Sequence, residues 1–529
     1  MSRMRQLSAH DAAFLFGDTT HSNANVSLVH IYNQSTAPGG KVRFKSILAQ
    51  IESRLDRLPV FRQKLQRVPL DLDYPYWVDD ENFDLEYHVR HIALPKPGDW
   101  RQFCIQVSRI HARPLALDRP LWEIYVIEGL DSFLDLPEGT FALVTKIHHA
   151  AIDIEGGNEI TMLLHDAAPT ASAPPPPAPW FPERPPGRLG TLRRGVLRSA
   201  GATLRLARPL GRALRAAAPA ALTLAGDLLL RPRSDMPATR FNAVVSPHRV
   251  FETRRFRLDE FKAIRGLVEG ATVNDAVLAV CGGALRHYLA LHDELPADGL
   301  NAMTPLYVRA EGAGAESAPA LSWIRVPLAT EVADPVQRLA AICAHHASSE
   351  VVARAVDARE LTDLTRHVPA STLALTAKLL GRAAASTGRR APLANCTVTN
   401  VPGPSAPLYL CGARMTYLSA IMPIADGMGL VFAVTSYDGQ VIVSPTSCRE
   451  LMPDPAVFAQ CLRDSFQELL ALAQQQQQEK QPQRAAVRPA RSRASAAGKR
   501  PSTSRSGRTG ATGPRAAPGA RRRSPAPSG

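Results

Sequence analysis

A proline-rich segment at residues 168–187 constrains the fold of this 529-residue chain more than any other stretch. Proline has no backbone N–H and a fixed φ, so the run APTASAPPPPAPWFPERPPG fits neither a helix interior nor a central strand. A chain of this length is also too long for one ordinary hydrophobic core. We therefore predict two globular parts, residues 1–167 and 239–473, joined by a Pro- and Arg-rich crossover at 168–238 and followed by a basic tail at 474–529.

Strand-like and helix-like patterns occur in both globular parts, which predicts the α/β class. Ser8 is a candidate N-cap, and Tyr437-Asp438-Gly439 is typical of a hairpin turn. The predicted helices lie at 6–15, 44–55, 99–111, 258–269, 273–292 and 455–472. The predicted strands lie at 26–32, 121–128, 141–147, 250–256, 323–328, 395–399, 430–436 and 440–444.

The formal net charge of +14 comes almost entirely from the C-terminal end of the chain. Residues 480–529 hold 13 Lys or Arg and no Asp or Glu, so the rest of the chain is nearly neutral. The tail has almost no large apolar residues, a composition typical of disorder. We expect no specific nucleic-acid partner, because a basic tail alone binds polyanions without sequence preference.

Cysteine usage and hydropathy indicate a cytoplasmic protein. The seven cysteines are scattered and form no CxxC pair, which favours free thiols over a metal site or a disulfide framework. The N-terminus MSRMRQLSAHDAAFLFG lacks an adequate apolar core for a secretory signal. The apolar stretch at 216–230 is too short to span a bilayer. We therefore expect the protein to be soluble or to lie on a membrane without crossing it.

The clearest chemical signal follows the predicted strand at 141–147. Two histidines stand at the end of this strand, a rigid place from which to aim a side chain. An imidazole is mostly neutral and still basic at physiological pH, so it can take the proton from a hydroxyl that attacks an acyl carbon. The residues of this site are His148, His149, Asp153, Gly156 and Gly157.

Two interpretations of the histidine pair remain open on these residues alone. It is either the base for acyl transfer, with His149 as the acting residue, or a structural pair at a strand end. The chain has no GxSxG motif, so an acyltransferase of this kind would work without a covalent enzyme intermediate. A second pair, His345-His346, lies in an Ala-rich helical pattern, and we interpret it as structural.

Several short blocks, in order, resemble bacterial bifunctional wax ester synthase/diacylglycerol acyltransferases. HHAAID is similar to the HHxxxDG signature of that family, and the resemblance covers residues 6–472. It implies two chloramphenicol-acetyltransferase-like subdomains, each a mixed sheet flanked by helices, with the active site at their interface. The other blocks are LSAHDAAFL at 7–15, Pro120-Leu121-Trp122, Asn274-Asp275, Asn400-Val401-Pro402-Gly403-Pro404 and GLVFAVTSYDG at 429–439.

The resemblance also implies roles for individual residues. His149 would be the general base, His148 would shape the site, and Asp153 would be structural. Asn274 and Asp275 are the candidates for binding the acceptor or the developing oxyanion, although Asn274 fits equally well as the N-cap of the helix at 273–292.

The remaining motif residues are interpreted as structural. Trp122 fits the core or a pocket wall, and residues 400–404 fit a rigid turn. The set assigned to structure by this resemblance is Pro120, Leu121, Trp122, Gly156, Gly157, Asn400, Pro402, Gly403 and Pro404.

The implied activity is transfer of a long-chain acyl group from acyl-CoA to a fatty alcohol or diacylglycerol, giving wax ester or triacylglycerol. Acyl-CoA would be a co-substrate, and we expect no cofactor and no metal. Lipid substrates imply a peripheral position at the inner membrane or on lipid inclusions. The eight arginines and the leucines of residues 188–215 fit either an interfacial helix or a solvated crossover.

One departure from the family pattern keeps two alternatives open. Ile154 stands where the signature has glycine, and a β-branched residue adopts φ > 0 poorly. The alternatives are a catalytically weak homologue that binds lipid or acyl-CoA, and a condensation-like acyltransferase with a different acceptor.

Overall fold

Strands and helices alternate along the chain in the computed structural model. It describes residues 4–132, 137, 139–152, 156–170, 180–185, 187, 189–193, 195–197, 236–308, 320–346 and 392–486. The strands are β1 (Arg5–Gln6), β2 (Asn25–Asn33), β3 (Gln63–Gln66), β4 (Tyr76–Asp79), β5 (Val89–Ala93), β6 (Trp122–Leu130), β7 (Thr140–His148), β8 (Arg249–Phe251), β9 (Arg254–Arg257), β10 (Asn301–Val308), β11 (Ala320–Pro327), β12 (Cys396–Pro402), β13 (Tyr409–Leu410), β14 (Ala413–Ile421), β15 (Val431–Tyr437) and β16 (Gln440–Cys448).

Helices accompany the strands in both halves of the chain. They are α1 (Ala9–Gly17), α2 (Phe44–Glu52), α3 (Leu85–His88), α4 (Trp100–Ala112), α5 (Gly156–Leu164), α6 (Leu258–Arg265), α7 (Val273–Leu291), α8 (Pro335–His346) and α9 (Pro455–Ala486). None of the helices within the described ranges is long and apolar enough to cross a membrane. The chain separates into two compact units, Met1–Gln478 and Glu479–Gly529.

Two mixed sheets organise the first unit. The first has the order β13-β14-β2-β7-β6-β5, with β5 parallel to β6 and the other neighbours antiparallel. The second has the order β11-β10-β12-β15-β16-β8, and β9 also pairs with β16. In this sheet β12 is parallel to both β10 and β15. A small sheet, β1-β4-β3, lies apart from both. Mixed sheets flanked by helices confirm the predicted α/β class.

The two large sheets are interlocked rather than separate along the sequence. Strand β14 comes from the C-terminal half, yet it pairs antiparallel with β2 of the N-terminal half, from Arg414 opposite Asn33 to Ile421 opposite Ser27. The next strand, β15, returns to the second sheet. Thr435 Oγ1 on β15 donates to Leu418 O on β14 across 2.6 Å. Consequently the C-terminal half completes the sheet that carries the histidines.

Most predicted elements appear with the bounds within a few residues. Helix α1 is capped by Ser8, whose hydroxyl accepts from Asp11 N at 3.0 Å. Strands β6 and β7 pair as an antiparallel ladder, as expected from their patterns. The hairpin β15–β16 turns at Asp438 and Gly439, both with positive φ, which is the geometry that an Asp-Gly turn supplies. The seven cysteines, all within the described residues, are free thiols.

The predicted strand at 250–256 is wrong in one respect, since it is two strands, β8 and β9. Both pair with β16, with Phe251 opposite Thr446 and Arg254 opposite Val443. Pro445 on β16 lies between these two pairs and has no N–H to donate, so the ladder is interrupted there. Glu252 N instead bonds to Pro445 O at 3.3 Å.

Two further predictions are corrected by the backbone. Residues 400–402 continue strand β12 instead of forming a turn, because they pair in parallel with β15 through Pro402 opposite Ser436. The tail begins later than predicted: residues 474–486 extend helix α9, since glutamine and glutamate are good helix formers. Residues 487–529 lie outside the described part of the chain. The division at 168–238 stays a prediction, and residues 198–235 of it also lie outside the described part.

Candidate active site

The histidine pair lies where β7 ends. His148 is the last residue of that strand, and a short 3-10 turn, His149–Ala151, follows it. The backbone of both histidines is fixed by neighbouring segments. His148 N donates to Leu121 O at 3.0 Å, and His149 N donates to Ala24 O at 2.8 Å. The main chain of the pair is therefore held from the segments that precede β6 and β2.

His148 is buried, and its ring has one tautomer that satisfies its contacts. Its Nδ1 accepts from Ala150 N at 3.1 Å, so this nitrogen carries no proton. Its Nε2 lies 3.1 Å from Asp18 Oδ2 and therefore donates to that carboxylate. The other oxygen of Asp18 accepts from Ala24 N at 2.8 Å. Both nitrogens of His148 are engaged in structure, which leaves them unsuited to take a proton from a substrate.

His149 has a different environment. Its ring stacks on Phe14, with the ring centroids 3.9 Å apart and the planes 15° from parallel. Its Nδ1 is buried, and within the described part of the chain neither Nδ1 nor Nε2 has a hydrogen-bond partner. The side chain is partly exposed. Of the two histidines, His149 is the one with a ring nitrogen available for chemistry.

Burial keeps the His149 ring neutral. Loss of solvation is the main cause that lowers its pKa to about 4, and the nearby His10 and His148 contribute to the same lowering. The residue's own backbone opposes this lowering. At neutral pH the ring is therefore unprotonated and able to accept a proton.

The rest of the signature is described in part. Gly156 and Gly157 begin helix α5, which residues 152–155 separate from the turn. Asp153 and Ile154 lie outside the described residues, so their predicted roles stay predictions. Helix α5 packs against β12 of the C-terminal half. The segment after the histidines thus lies where the two halves meet.

Trp122 is confirmed as a core residue. Its indole is buried, stacks between Phe61 and His88 with centroid distances of 4.5 Å on each side, and donates from Nε1 to Phe61 O at 2.8 Å. Pro120 and Leu121 precede it, and the Leu121 carbonyl is the acceptor for His148 N. The Pro-Leu-Trp block therefore fixes the end of β7 through the hydrogen bond from His148 N to Leu121 O.

The block at 400–404 fixes the end of β12. Gly403 N donates to Ser436 O at 2.9 Å, and a Cβ at this position would lie only 2.3 Å from the same oxygen. A glycine is therefore required by the close approach of the two strands. Pro404 O accepts from Asp438 N at 3.3 Å, while Asn400 is exposed and Pro402 ends the strand.

The Asn-Asp block begins helix α7, and its two residues differ in environment. Thr272 is the N-cap, so the alternative role of Asn274 as the cap is wrong. The buried Asp275 carboxylate accepts from Thr272 N and Oγ1, both at 2.8 Å, and also contacts His346 Nδ1. His346, from the second pair, thereby joins α8 to α7. No hydrogen bond within the described residues joins Asn274 to His149.

Two domain models match the chain in order. Residues 7–277 match the wax ester synthase/diacylglycerol acyltransferase catalytic domain, and residues 320–470 match the C-terminal domain of the same family. The chain belongs to this family. The expected resemblance is thereby confirmed over most of the globular part.

Individual members of the family are similar along nearly their whole length. A Mycobacterium tuberculosis H37Rv protein named diacylglycerol O-acyltransferase is 31% identical over 485 residues, covering 89% of this chain and 91% of that protein. The O-acyltransferase WSD of Acinetobacter baylyi is 31% identical over 413 residues, covering 75% and 82%. The wax ester synthase/diacylglycerol acyltransferase of Marinobacter aquaeolei VT8 superposes with a TM-score of 0.61 at 27% identity, covering 89% of this chain and 100% of that one.

The sequence did not predict two residues that contact the histidine pair of the present protein. Asp18 holds His148, and Phe14 holds His149. Both come from α1 or its C-cap, in the LSAHDAAFL block and just beyond it. The block was recognisable in the sequence, but the histidines that these residues contact lie some 130 positions further along the chain. No local pattern indicates such a pairing.

Proposed function

We propose that this protein transfers a long-chain acyl group from acyl-CoA to the hydroxyl of a fatty alcohol or diacylglycerol, with His149 as the general base. Membership of the wax ester synthase/diacylglycerol acyltransferase family supports the reaction class. The observation that supports the choice of base is the contrast between the two rings, because both nitrogens of His148 are engaged and Nε2 of His149 is not.

The proposed step needs no covalent enzyme intermediate. The neutral His149 ring takes the hydroxyl proton at Nε2 while the oxygen attacks the thioester carbonyl. The C–S bond then breaks, the ester forms, and the imidazolium returns the proton to the sulfur of CoA. Asn274 stays our candidate for binding the acceptor or the oxyanion. Its half-buried amide makes no hydrogen bond to the rest of the described chain.

A radiolabelled acyl-CoA assay with hexadecanol and with diacylglycerol tests this function. We expect His149→Ala to lower kcat by roughly 10²- to 10⁴-fold, the usual contribution of one positioned general base. His248→Ala is the matched control, since His248 is exposed on another part of the surface. Wild-type turnover in the His149 variant would show that this ring is not the base. Acyl-CoA binding without transfer to either acceptor would favour a binding protein.

We also propose that the crossover places the protein on a lipid surface. In its described part, apolar side chains are largely exposed: Phe181 by 81%, Leu189 by 83% and Leu197 by 63%. The same region carries eight arginines and no acidic residue between 188 and 215. Exposed apolar side chains beside cationic ones are the combination that binds anionic membrane interfaces. Gly195 lies against Val68, which ties this segment to the globular part.

A further inference from the structure

We propose that Phe14 is a positioning residue that holds the imidazole of His149 in the orientation from which Nε2 meets the acceptor hydroxyl. This inference rests on the proposed role of His149 as the base. It assigns a purpose to the LSAHDAAFL block, whose contribution is otherwise unexplained.

The contact itself is a close, nearly parallel stack. The centroids of Phe14 and His149 are 3.9 Å apart, with 15° between the planes. His10, one helical turn earlier on α1, contacts Phe14 edge-on, with the ring centroids 5.3 Å apart and the planes at 87°. Residues four apart lie on one face of a helix, so α1 presents both rings toward the same place.

The ring of His149 needs such a contact because hydrogen bonds do not orient it. Its main-chain N–H is fixed to Ala24 O, but that bond leaves rotation of the ring about χ2 free. Catalytic histidines are commonly held by a carboxylate or carbonyl on the second nitrogen. Here Nδ1 is buried and has no hydrogen-bond partner among the described residues. The flat face of Phe14 is the contact that selects one ring plane.

Phe14 can act as a fixed surface because its helix is firmly placed. Ser8 caps α1, and Leu7 N donates to Pro75 O at 2.8 Å. Ala12, Leu15 and Phe16 are buried in the core. Helix α1 also packs directly on the 3-10 turn of His149.

The same helix controls both histidines by different means. Its C-cap residue, Asp18, accepts a hydrogen bond from His148 Nε2–H, with 3.1 Å between Nε2 and Oδ2. Phe14, four residues earlier, covers one face of His149. One ring is therefore fixed through a hydrogen bond and the other through stacking. This leaves Nε2 of His149 unoccupied for the acceptor.

Steady-state kinetics of Phe14→Leu, Phe14→Tyr and Phe16→Leu test the proposal. Leucine keeps apolar bulk but has no flat face, whereas tyrosine restores one. Phe16 lies on the same helix, is buried in the core and has no ring contact with either histidine within the described residues, so it controls for loss of helix stability. We expect Phe14→Leu to lower kcat roughly 10- to 100-fold through misorientation, with KM for acyl-CoA within about twofold. Phe14→Tyr should retain most of the wild-type kcat.

The pH profile provides a second measurement. Burial lowers the pKa of His149, and the titratable groups that act on it are His10 on α1 and His148 on β7. Removing the ring of Phe14 admits water, which raises this pKa toward its ordinary value. The acid limb of kcat/KM should therefore move to higher pH in Phe14→Leu and stay in place in Phe16→Leu.

A measurement on the wild-type protein avoids dependence on the folding of any variant. Protons of an imidazole stacked on a benzene ring are shifted upfield in the NMR spectrum, and His149→Ala identifies the signal. Absence of that shift would overturn the proposal, as would equal losses of kcat in the Phe14→Leu and Phe16→Leu variants. Failure of the proposed function is distinct, because it appears as missing transfer in the wild type or full activity in His149→Ala.

Discussion

At the scale of single residues, the site depends on how each ring nitrogen is used. The Nε2–H of the buried His148 has one acceptor, Asp18. Removing that acceptor leaves a buried donor unsatisfied and frees the ring beside His149. The carboxylate thus acts on His149, the base we propose, only through His148.

Asp18→Ala should therefore reduce both stability and activity. We expect a loss of about 1–3 kcal/mol in the free energy of unfolding, the usual cost of an unsatisfied buried donor. Turnover should fall about tenfold, which is our estimate for a group one step removed from the base. Urea unfolding and the acyl-transfer assay measure these effects. Asp18→Asn keeps an acceptor oxygen and should retain most activity, while Asp259→Ala, on the exposed surface, is the control. An Asp18→Ala variant as active as wild type would contradict the role.

At the scale of elements, the crossover exposes large apolar side chains to solvent. Its described residues lie against the small sheet, since Glu183 N donates to Asp79 Oδ2 at 3.1 Å and Trp180 meets the guanidinium of Arg62 at 5.2 Å. Leu189 and Leu197 are nevertheless largely exposed. A segment that is anchored on one side and apolar on the other can rest on a lipid interface.

Flotation with anionic phospholipid vesicles tests the crossover. We expect the double change Leu189→Ser and Leu197→Ser to weaken vesicle binding about 100-fold or more, because each buried leucine contributes roughly 1.5–3 kcal/mol and about 1.4 kcal/mol is a factor of ten. Leu291→Ser is the matched control, since that leucine is 66% exposed elsewhere on the molecule. Acyl transfer to a short, water-soluble alcohol should be unchanged in both variants. Equal binding of the double variant and the wild type would exclude this segment as the contact.

At the scale of the whole molecule, buried neutral histidines couple folding to pH. His30, His111 and His165 are buried, and burial is the main cause that lowers each pKa, to about 3 for His111 and about 4 for His165. The unfolded chain binds a proton at each of these rings near pH 6.5, whereas the folded chain does not until the pH is far lower. The contribution of these three histidines to the free energy of unfolding is therefore fully present above about pH 6.5, and it is lost as the pH falls toward 4.

Unfolding in urea at pH 7.5 and pH 5 checks this linkage. His111 and His165 should each contribute a loss of about 2 kcal/mol over that interval, given their lowered pKa values. In His165→Gln the pH-dependent part of the loss should shrink by that amount, whatever the change in stability at pH 7.5. The exposed His248→Gln should leave it unchanged. A pH dependence identical in both variants would rule out His165 as a source.

The sequence by itself determined the features that depend on neighbours along the chain. Ser8 starts α1, the apolar run of β7 ends at two histidines, and Asp438-Gly439 turns the last hairpin. Caps, strand patterns and turns of this kind follow from backbone chemistry within a few residues. The order of the family blocks likewise identified the reaction class before any contact was known.

Only the tertiary structure decided which contacts each histidine ring makes. Phe14 and Asp18 reach residues about 130 positions away, and β14 crosses from the C-terminal half to complete their sheet. The second histidine pair was expected to be structural, but its link to Asp275 had no local signal. Such contacts depend on sheet register and on the packing of α1 over the turn. These are properties of the folded chain, because residues far apart in sequence meet only after the sheets have formed.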